Sequence, residues 1–329
     1  MLFAFSSNGF RRYSLDECIE RLADLGYKGV EILCDTPHAF PGTMTPGDVA
    51  VIRAALDRTG LSISNLNSFM LYALGDTYHP SWIEMSAGER AKRIEHTKNC
   101  IRLAAELGAR TVSTEPGGPL DFETISWLNL RKTRKSSSVE HDESLLELLK
   151  SSVTPESSVS AQIWTNPRFE PLLSEALSIF SQGLQEVLPE AEKCGVKLLI
   201  EPEPGLLIES SRQLERFLAM LDSPWLGMNI DIGHLFCVGE APALTLRKMA
   251  GRIDHMHFED IAADRKHYHL PPGKGAIDFE SVFTVLSEIG YSGWCTVELY
   301  TCEENIIEAA RDALAFLTNA RAKATGGQT

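Results

Sequence analysis

Residues 197–234 read KLLIEPEPGLLIESSRQLERFLAMLDSPWLGMNIDIGH. Lys197-Leu-Leu-Ile200 has no polar alternation, so it reads as a strand covered on both faces, as in a parallel sheet. It ends on Glu201. After a helix over Ser210–Leu221, a second run, Leu226–Asp231, ends on Asp231, with His234 three residues on. A charged side chain at the tip of a buried strand needs a reason to be there. In a parallel barrel or open sheet, the C-terminal strand ends are where ligands bind.

The same strand–helix period extends both ways. Upstream, Leu2–Ser7, Gly29–Cys34, Leu61–Asn67 and Thr111–Glu115 read as strands. Between them lie helices from Ser14 to Gly26, over Thr45–Thr59, and from Ser86 to Leu107. Ser14-Leu-Asp-Glu17 and Ser86-Ala-Gly-Glu89 have the capping-box spacing, and Gly26, Gly60 and Gly108 stand where C-caps belong. A helix over Pro171–Lys193, closed by Gly195, leads into the opening stretch. Downstream come a helix over Ala241–Ala250, a strand Ile253–Phe258, a helix Phe279–Ile289, a strand Trp294–Leu299 and a last helix Glu303–Asn319. Eight such units favour a closed (β/α)8 TIM barrel, an α/β fold, over an open sheet. The whole chain, 1–329, reads as one domain with a flexible tail over residues 320–329.

The period breaks once, after the fourth strand. Residues 117–170 hold Ser-rich stretches, a basic run Arg131–Lys135 and a short amphipathic piece near Ser144–Lys150. This composition predicts a mobile insertion on the ligand side of the barrel, suited to a lid or a subunit contact.

Composition narrows the function classes. With 43% hydrophobic and 23% charged residues among 329, this is an ordinary globular chain. A net charge of −14 weighs against a nucleic-acid partner, which needs a basic footprint. Seven cysteines without a C-x-x-C pair suggest reduced thiols and a cytoplasmic setting. The N-terminal MLFAFSSNGF lacks the basic and apolar regions of a signal peptide. No apolar run approaches the roughly 18 residues of a membrane span, so no membrane partner is expected.

Closing the barrel puts the strand tips in a ring. They carry Glu115, Glu201, Asp231 with His234, His255 and His257, and Glu298. Any one of these could be a helix cap, an ion-pair partner or a core histidine. Glu201, Asp231, His257 and Glu298, however, fall on four consecutive tips. Three carboxylates and an imidazole around one point cannot all stay ionised and unpaired in a dry pocket. A divalent cation removes that cost. This donor set suits a fairly hard ion: Mn²⁺ first, with Mg²⁺, Co²⁺, Fe²⁺ or Zn²⁺ as alternatives. The Pro/Gly-rich loop Asp264–Gly275 is expected to carry Arg265, His267 and His269 back over these tips.

At these residues the sequence resembles the xylose isomerase-like TIM-barrel superfamily, including D-tagatose 3-epimerase and inosose dehydratase. The resemblance runs from NGF at Asn8 and LGYKGVEI at Leu25 through IEPEPG, DIGH, HMHFED and HLPPGKGAIDF to VEL at Glu298. It implies Glu201, Asp231, His257 and Glu298 as metal ligands, Glu201 and Glu298 as the acid/base pair, and His234 as a substrate contact. Arg265, His267, His269 and Glu115 complete the expected substrate-binding set. The epimerases have an arginine just before Leu-Pro-Pro-Gly where this chain has His269. The AP-endonuclease branch places histidines where this chain reads Asn67 and Glu115, and an Asp where it has His267, which also weighs against DNA.

The reaction implied is proton transfer next to a carbonyl through an enediolate, in a sugar isomerase or epimerase. The alternative is a lyase, either an inosose-type dehydratase or an eliminating enzyme on a 3-keto-glycoside. The expected partner is a small sugar or polyol, and a homo-oligomer is allowed for.

Overall fold

In the computed structural model, the described residues are 1–70, 73, 78–135, 143–153 and 158–326. Eight parallel strands close a barrel in sequence order: β1 Leu2–Ser6, β2 Gly29–Leu33, β3 Ser62–Asn67, β4 Thr111–Thr114, β5 Lys197–Ile200, β6 Leu226–Asp231, β7 His255–Phe258 and β8 Trp294–Val297. The ring closes where β8 pairs with β1, with Phe5 opposite Val297.

The strands are buried on both faces, and alternation sorts their side chains. In β6, Met228 and Ile230 join the apolar layer beneath the helices, while Asn229 and Asp231 face the other way. In β7, Met256 and Phe258 do the former, and His255 and His257 the latter. The barrel interior is therefore strongly polar. Asn65 donates to Glu31 at 2.8 Å and to the Ser113 hydroxyl at 2.9 Å.

Three helices precede the insertion: α1 Leu15–Leu25, α2 Pro46–Thr59 and α3 Ala87–Leu107. Glu17 accepts the Ser14 N–H at 3.0 Å, and the Ser86 hydroxyl accepts the Glu89 N–H at 3.4 Å, as the spacing predicts. Gly26, Gly60 and Gly108 cap these helices in the left-handed conformation.

The insertion differs from its expectation. Its described residues form α4 Phe122–Lys135, α5 Glu143–Ser152 and α6 Val159–Thr165. Leu120, Ile125, Leu128, Leu149 and Ile163 are buried, so apolar surface anchors a segment whose serines suggested mobility. Its ends dock on the loop after β5. The Leu207 N–H donates to the Gly118 carbonyl at 2.9 Å, and the Trp164 indole donates to the Leu207 carbonyl at 2.7 Å. Arg131 of the basic run pairs with Glu175.

Beyond it come α7 Glu170–Cys194, α8 Ser211–Leu218, α9 Ile232–Cys237, α10 Pro242–Lys248, α11 Phe279–Glu288 and α12 Ile306–Ala324. Helix α12 runs into the stretch read as a tail, burying Ala320 against the core. Around α7, Phe180 stacks on Phe217 at 4.8 Å between ring centroids. Among the described residues, no helix is long and apolar enough to cross a membrane.

Candidate metal centre

The tips of β5 to β8 bring Glu201, Asp231, His257 and Glu298 together, with one donor atom from each within 4.8 Å of the others. Each side chain is held in place by its surroundings. Asp231 ends β6 and caps α9: its Oδ1 accepts the Gly233 and His234 N–H groups at 2.7 and 2.9 Å. That leaves Oδ2 buried and without a hydrogen-bond partner. Gly233 is required beside it, because a Cβ there would run into the Glu259 carboxylate.

His257 has its ring turned between two sets of acids. Its Nε2 lies 2.8 Å from Glu31 Oε2. Its Nδ1 lies 2.7 Å from Glu201 Oε1, 3.7 Å from Glu298 Oε2 and 4.0 Å from Asp231 Oδ2. An N–H on Nε2 donating to Glu31 would turn the Nδ1 lone pair toward the three carboxylates, the usual arrangement of a metal-bound histidine. Amides orient the two glutamates. Asn229 donates to Glu201 at 2.7 Å and Asn8 to Glu298 at 2.7 Å.

The electrostatics show a cluster short of positive charge. Burial, and then the charges of Glu201, Glu31 and Asp231, push Glu298 well above the usual carboxylate range against the pull of His257. Burial opposes charge on His257, yet Glu201, Glu31 and Glu298 hold it well above the usual imidazole range. Protons are thus drawn into the cluster to offset its carboxylates. A divalent cation could do the same, and the buried Oδ2 of Asp231 is the oxygen left over from the backbone N–H groups that Oδ1 accepts. The donor set fits a hard to borderline ion.

The cluster forms one wall of a cavity of about 180 Å³, where Glu201 and Glu298 meet His234, His267 and His269. Leu33, Phe69, Tyr78 and Tyr300 supply less polar walls. The loop bearing His267 and His269 is pinned by Asp260. Its carboxylate accepts the N–H groups of Gly273, Gly275 and Ile277 at 2.9, 2.8 and 3.0 Å. Burial pushes His269 down to about 4 and, with the neighbouring histidines, lowers His267 too. His234 is raised despite its burial, by Asp231, Glu203 and Glu201.

Two residues expected at the substrate stand elsewhere. Glu115 is fully buried 2.9 Å from the Nε of Arg93, itself fully buried, and is absent from the cavity wall. Arg265 is exposed at the loop tip, with φ of 60° and its guanidinium 4.9 Å over the Phe236 ring. Its guanidinium thus packs against α9 and is not part of the cavity wall.

Several site residues carried no assignment in the sequence reading. Glu31, Asn8 and Asn229 hold the cluster, and Glu203 lines the cavity. Glu203 is buried, accepts a hydrogen bond from the Tyr78 hydroxyl, and is pushed up by burial to about 7. Their signal was a polar residue within or beside an otherwise apolar run, as in GVEIL and LGMNID.

A family model described as "Xylose isomerase-like TIM barrel" matches residues 19–320. The inosose dehydratase of Clostridium beijerinckii is 31% identical over 140 residues, 38% of this chain and 47% of that protein. The chain therefore spans about half the length of that curated relative. Among solved structures, a D-tagatose 3-epimerase-like protein superposes with a TM-score of 0.65 at 22% identity, covering 97% of this chain and 99% of its own. The IOLI protein, solved with a bound zinc atom, gives 0.67 at 17% identity, covering 98% and 99%. At these identities the structural matches show a shared fold.

Proposed function

The chain belongs to the xylose isomerase-like TIM barrel family, and from that premise we propose a divalent-metal-dependent enzyme that moves a proton next to the carbonyl of a small sugar or polyol. The supporting observation is the pair Glu201 and Glu298. Both are donors to the candidate metal cluster, and both face the cavity where a substrate would lie.

Glu201, Asp231, His257 and Glu298 would hold the cation, with Mn²⁺ the leading candidate. When bound, the cation supplies Lewis-acid stabilisation to the negative charge that develops on the substrate oxygens. The remaining work falls to side chains. Glu201 takes the proton from carbon, and its Oε2 is steadied by the Asn229 amide. Glu298 returns a proton, and its Oε1 is fixed by Asn8. His234 and His269 present their rings to the substrate hydroxyls. Tyr300 and Phe69 cover the apolar face of the sugar and exclude water. This is the chemistry of an isomerase or epimerase.

The second reading, a dehydratase-type lyase, is favoured by the likeness to inosose dehydratases. It keeps Glu201 as base and adds expulsion of a β-hydroxyl, with the proton supplied by Glu298 or a loop histidine.

Metal removal is the first test. The chelated protein is expected to lose all turnover and regain it with Mn²⁺. Mn²⁺ at about 100 times its Kd should stabilise the fold by about 2.7 kcal/mol, read as a rise in Tm. The binding should weaken as pH falls, because protons compete for the carboxylates and His257. Full turnover in the chelated protein would remove the cation from the reaction. Glu31→Gln is expected to fold normally while weakening Mn²⁺ binding about 10–100-fold, because Glu31 orients the His257 ring. Unchanged affinity by calorimetry would assign Glu31 to the barrel interior alone.

A further inference from the structure

Cys34 and Cys100 meet between the barrel and its helices. Cys34 directly follows β2, Cys100 lies on α3, and neither thiol is exposed. The Cys34 S–H donates to the Cys100 sulfur. A second donor comes from one turn back on α3. His96 Nε2 stands 3.4 Å from Cys100 Sγ and 3.1 Å from the Ser68 carbonyl. A carbonyl can only accept, so Nε2 carries the hydrogen, and the sulfur shares it. Cys100 thus accepts from a thiol and from an imidazole, the surroundings of a thiolate rather than of a thiol.

The charges nearby act in the same direction. Burial opposes ionisation of Cys100, yet Cys34, His96 and Arg93 pull it down to about 6. Burial, and then the bond to Cys100, push Cys34 well above the usual thiol range, so the proton stays there. Cys18, Cys194, Cys237 and Cys295 are all raised by burial. The usual effect of burial on a thiol is reversed at Cys100.

We propose that Cys100 is a hydroperoxide-reactive thiol with Cys34 as its resolving partner, and that the pair closes to a disulfide. The Cys100 thiolate attacks the terminal oxygen of the hydroperoxide. An S–O bond forms, the O–O bond breaks, and the departing alkoxide or hydroxide takes a proton from solvent. The Cys34 sulfur then attacks the sulfenic sulfur. The S–S bond forms, the S–O bond breaks, and hydroxide leaves as water with the Cys34 proton. The two sulfurs together lose the two electrons that the hydroperoxide gains. A surface groove of about 340 Å³ between α2 and α3, lined by Asn99 and Leu103, ends beside Cys100. The half-buried Phe40 ring stacks on His96 and covers the pair, so its displacement admits the oxidant. The pair also stands next to the active-site cavity. The Cys34 N–H donates to the Asn67 carbonyl at 2.8 Å, and Leu33 and Asn67 line that cavity. In a reducing compartment such a disulfide is transient, which is how redox sensing works there.

The folded protein would be treated with hydrogen peroxide, its remaining thiols blocked by alkylation, and its peptides mapped by mass spectrometry. A Cys34–Cys100 linked peptide is expected, lost again on reduction with dithiothreitol. Cys34→Ser should stop one step earlier, with a sulfenic acid on Cys100 that dimedone traps. The wild-type map does not depend on any variant folding. The half-buried Cys194, Cys237 and Cys302 serve as internal controls. Oxidation of these three with Cys34 and Cys100 still alkylated as free thiols would overturn the proposal. A dimedone label on Cys34 in Cys100→Ser would overturn it as well, by showing that Cys34 reacts without its partner.

Discussion

Glu298→Gln is expected to lower turnover about 10²- to 10⁴-fold, the usual loss when a positioned acid or base is removed. The amide matches the carboxylate in size, and its oxygen can still accept from Asn8, which donates to Glu298 at 2.7 Å. The fold and part of the metal affinity should therefore survive. What disappears is the carboxylate that takes up and returns a proton during turnover. At saturating Mn²⁺ the defect should remain in kcat, which separates lost chemistry from lost metal. A variant that turns over within tenfold of wild type would remove Glu298 from the acid/base pair.

Arg93→Ala is expected to cost about 3–5 kcal/mol of stability, the range for stripping the partner from a buried ion pair. Arg93 reaches from α3 to Glu115 at the end of β4, and it also donates to the Pro80 and Ser68 carbonyls at 2.8 and 3.0 Å. Its loss leaves a buried carboxylate with no counter-charge. The pH dependence has a definite sign. Burial already raises Glu115 above the usual range, with Arg93 opposing. Without Arg93 the group rises further, so the folded variant binds a proton that the unfolded chain has released. Stability then falls as pH rises through that window, and the variant's deficit should be larger at pH 8 than at pH 5. Adding Glu115→Gln should recover much of the loss, because an uncharged group needs no partner charge. Urea unfolding of the wild type, Arg93→Ala and the double variant reads both effects. A deficit independent of pH would assign the cost to lost packing.

The barrel could be read from the sequence because each β/α unit carries its own punctuation. Apolar runs such as KLLI end on a charged residue, and the glycines Gly26, Gly60, Gly108 and Gly195 mark the helix ends. The convergence of Glu201, Asp231, His257 and Glu298 followed from closing the ring, since residues at equal height on neighbouring strands must meet. The supporting residues were less visible. Asn229 lies two before Asp231 and Glu31 two before Leu33, so alternation puts each on the inward face. In strands buried on both sides, however, nothing local says which face looks into the barrel. Glu115 carried the same strand-tip signal as Glu201. What separates them is Arg93, some twenty residues earlier on a helix, and no local pattern announces that contact. The insertion misled through composition: its serines are prominent, but Leu145, Leu149 and Ile163 decide where it packs. Arg265 shares its loop with His267 and His269, but its guanidinium packs over Phe236 of α9, a contact no local pattern announces.

Deuterium wash-in would test proton transfer itself. Mn²⁺-loaded protein would be incubated in D₂O with keto-hexoses, inososes and 3-keto-glycosides, and the carbon-bound deuterium read by NMR and mass spectrometry. One deuterium on the carbon next to the carbonyl is expected with wild type, together with an isomerised sugar, whereas Glu298→Gln, which keeps Glu201 as base, should give little isomerised sugar. Loss of water or of an aglycone alongside exchange would place the chain with the lyases. Metal bound at Glu201, Asp231, His257 and Glu298 with no exchange into any of these substrates would refute proton transfer next to a carbonyl as the work of this site.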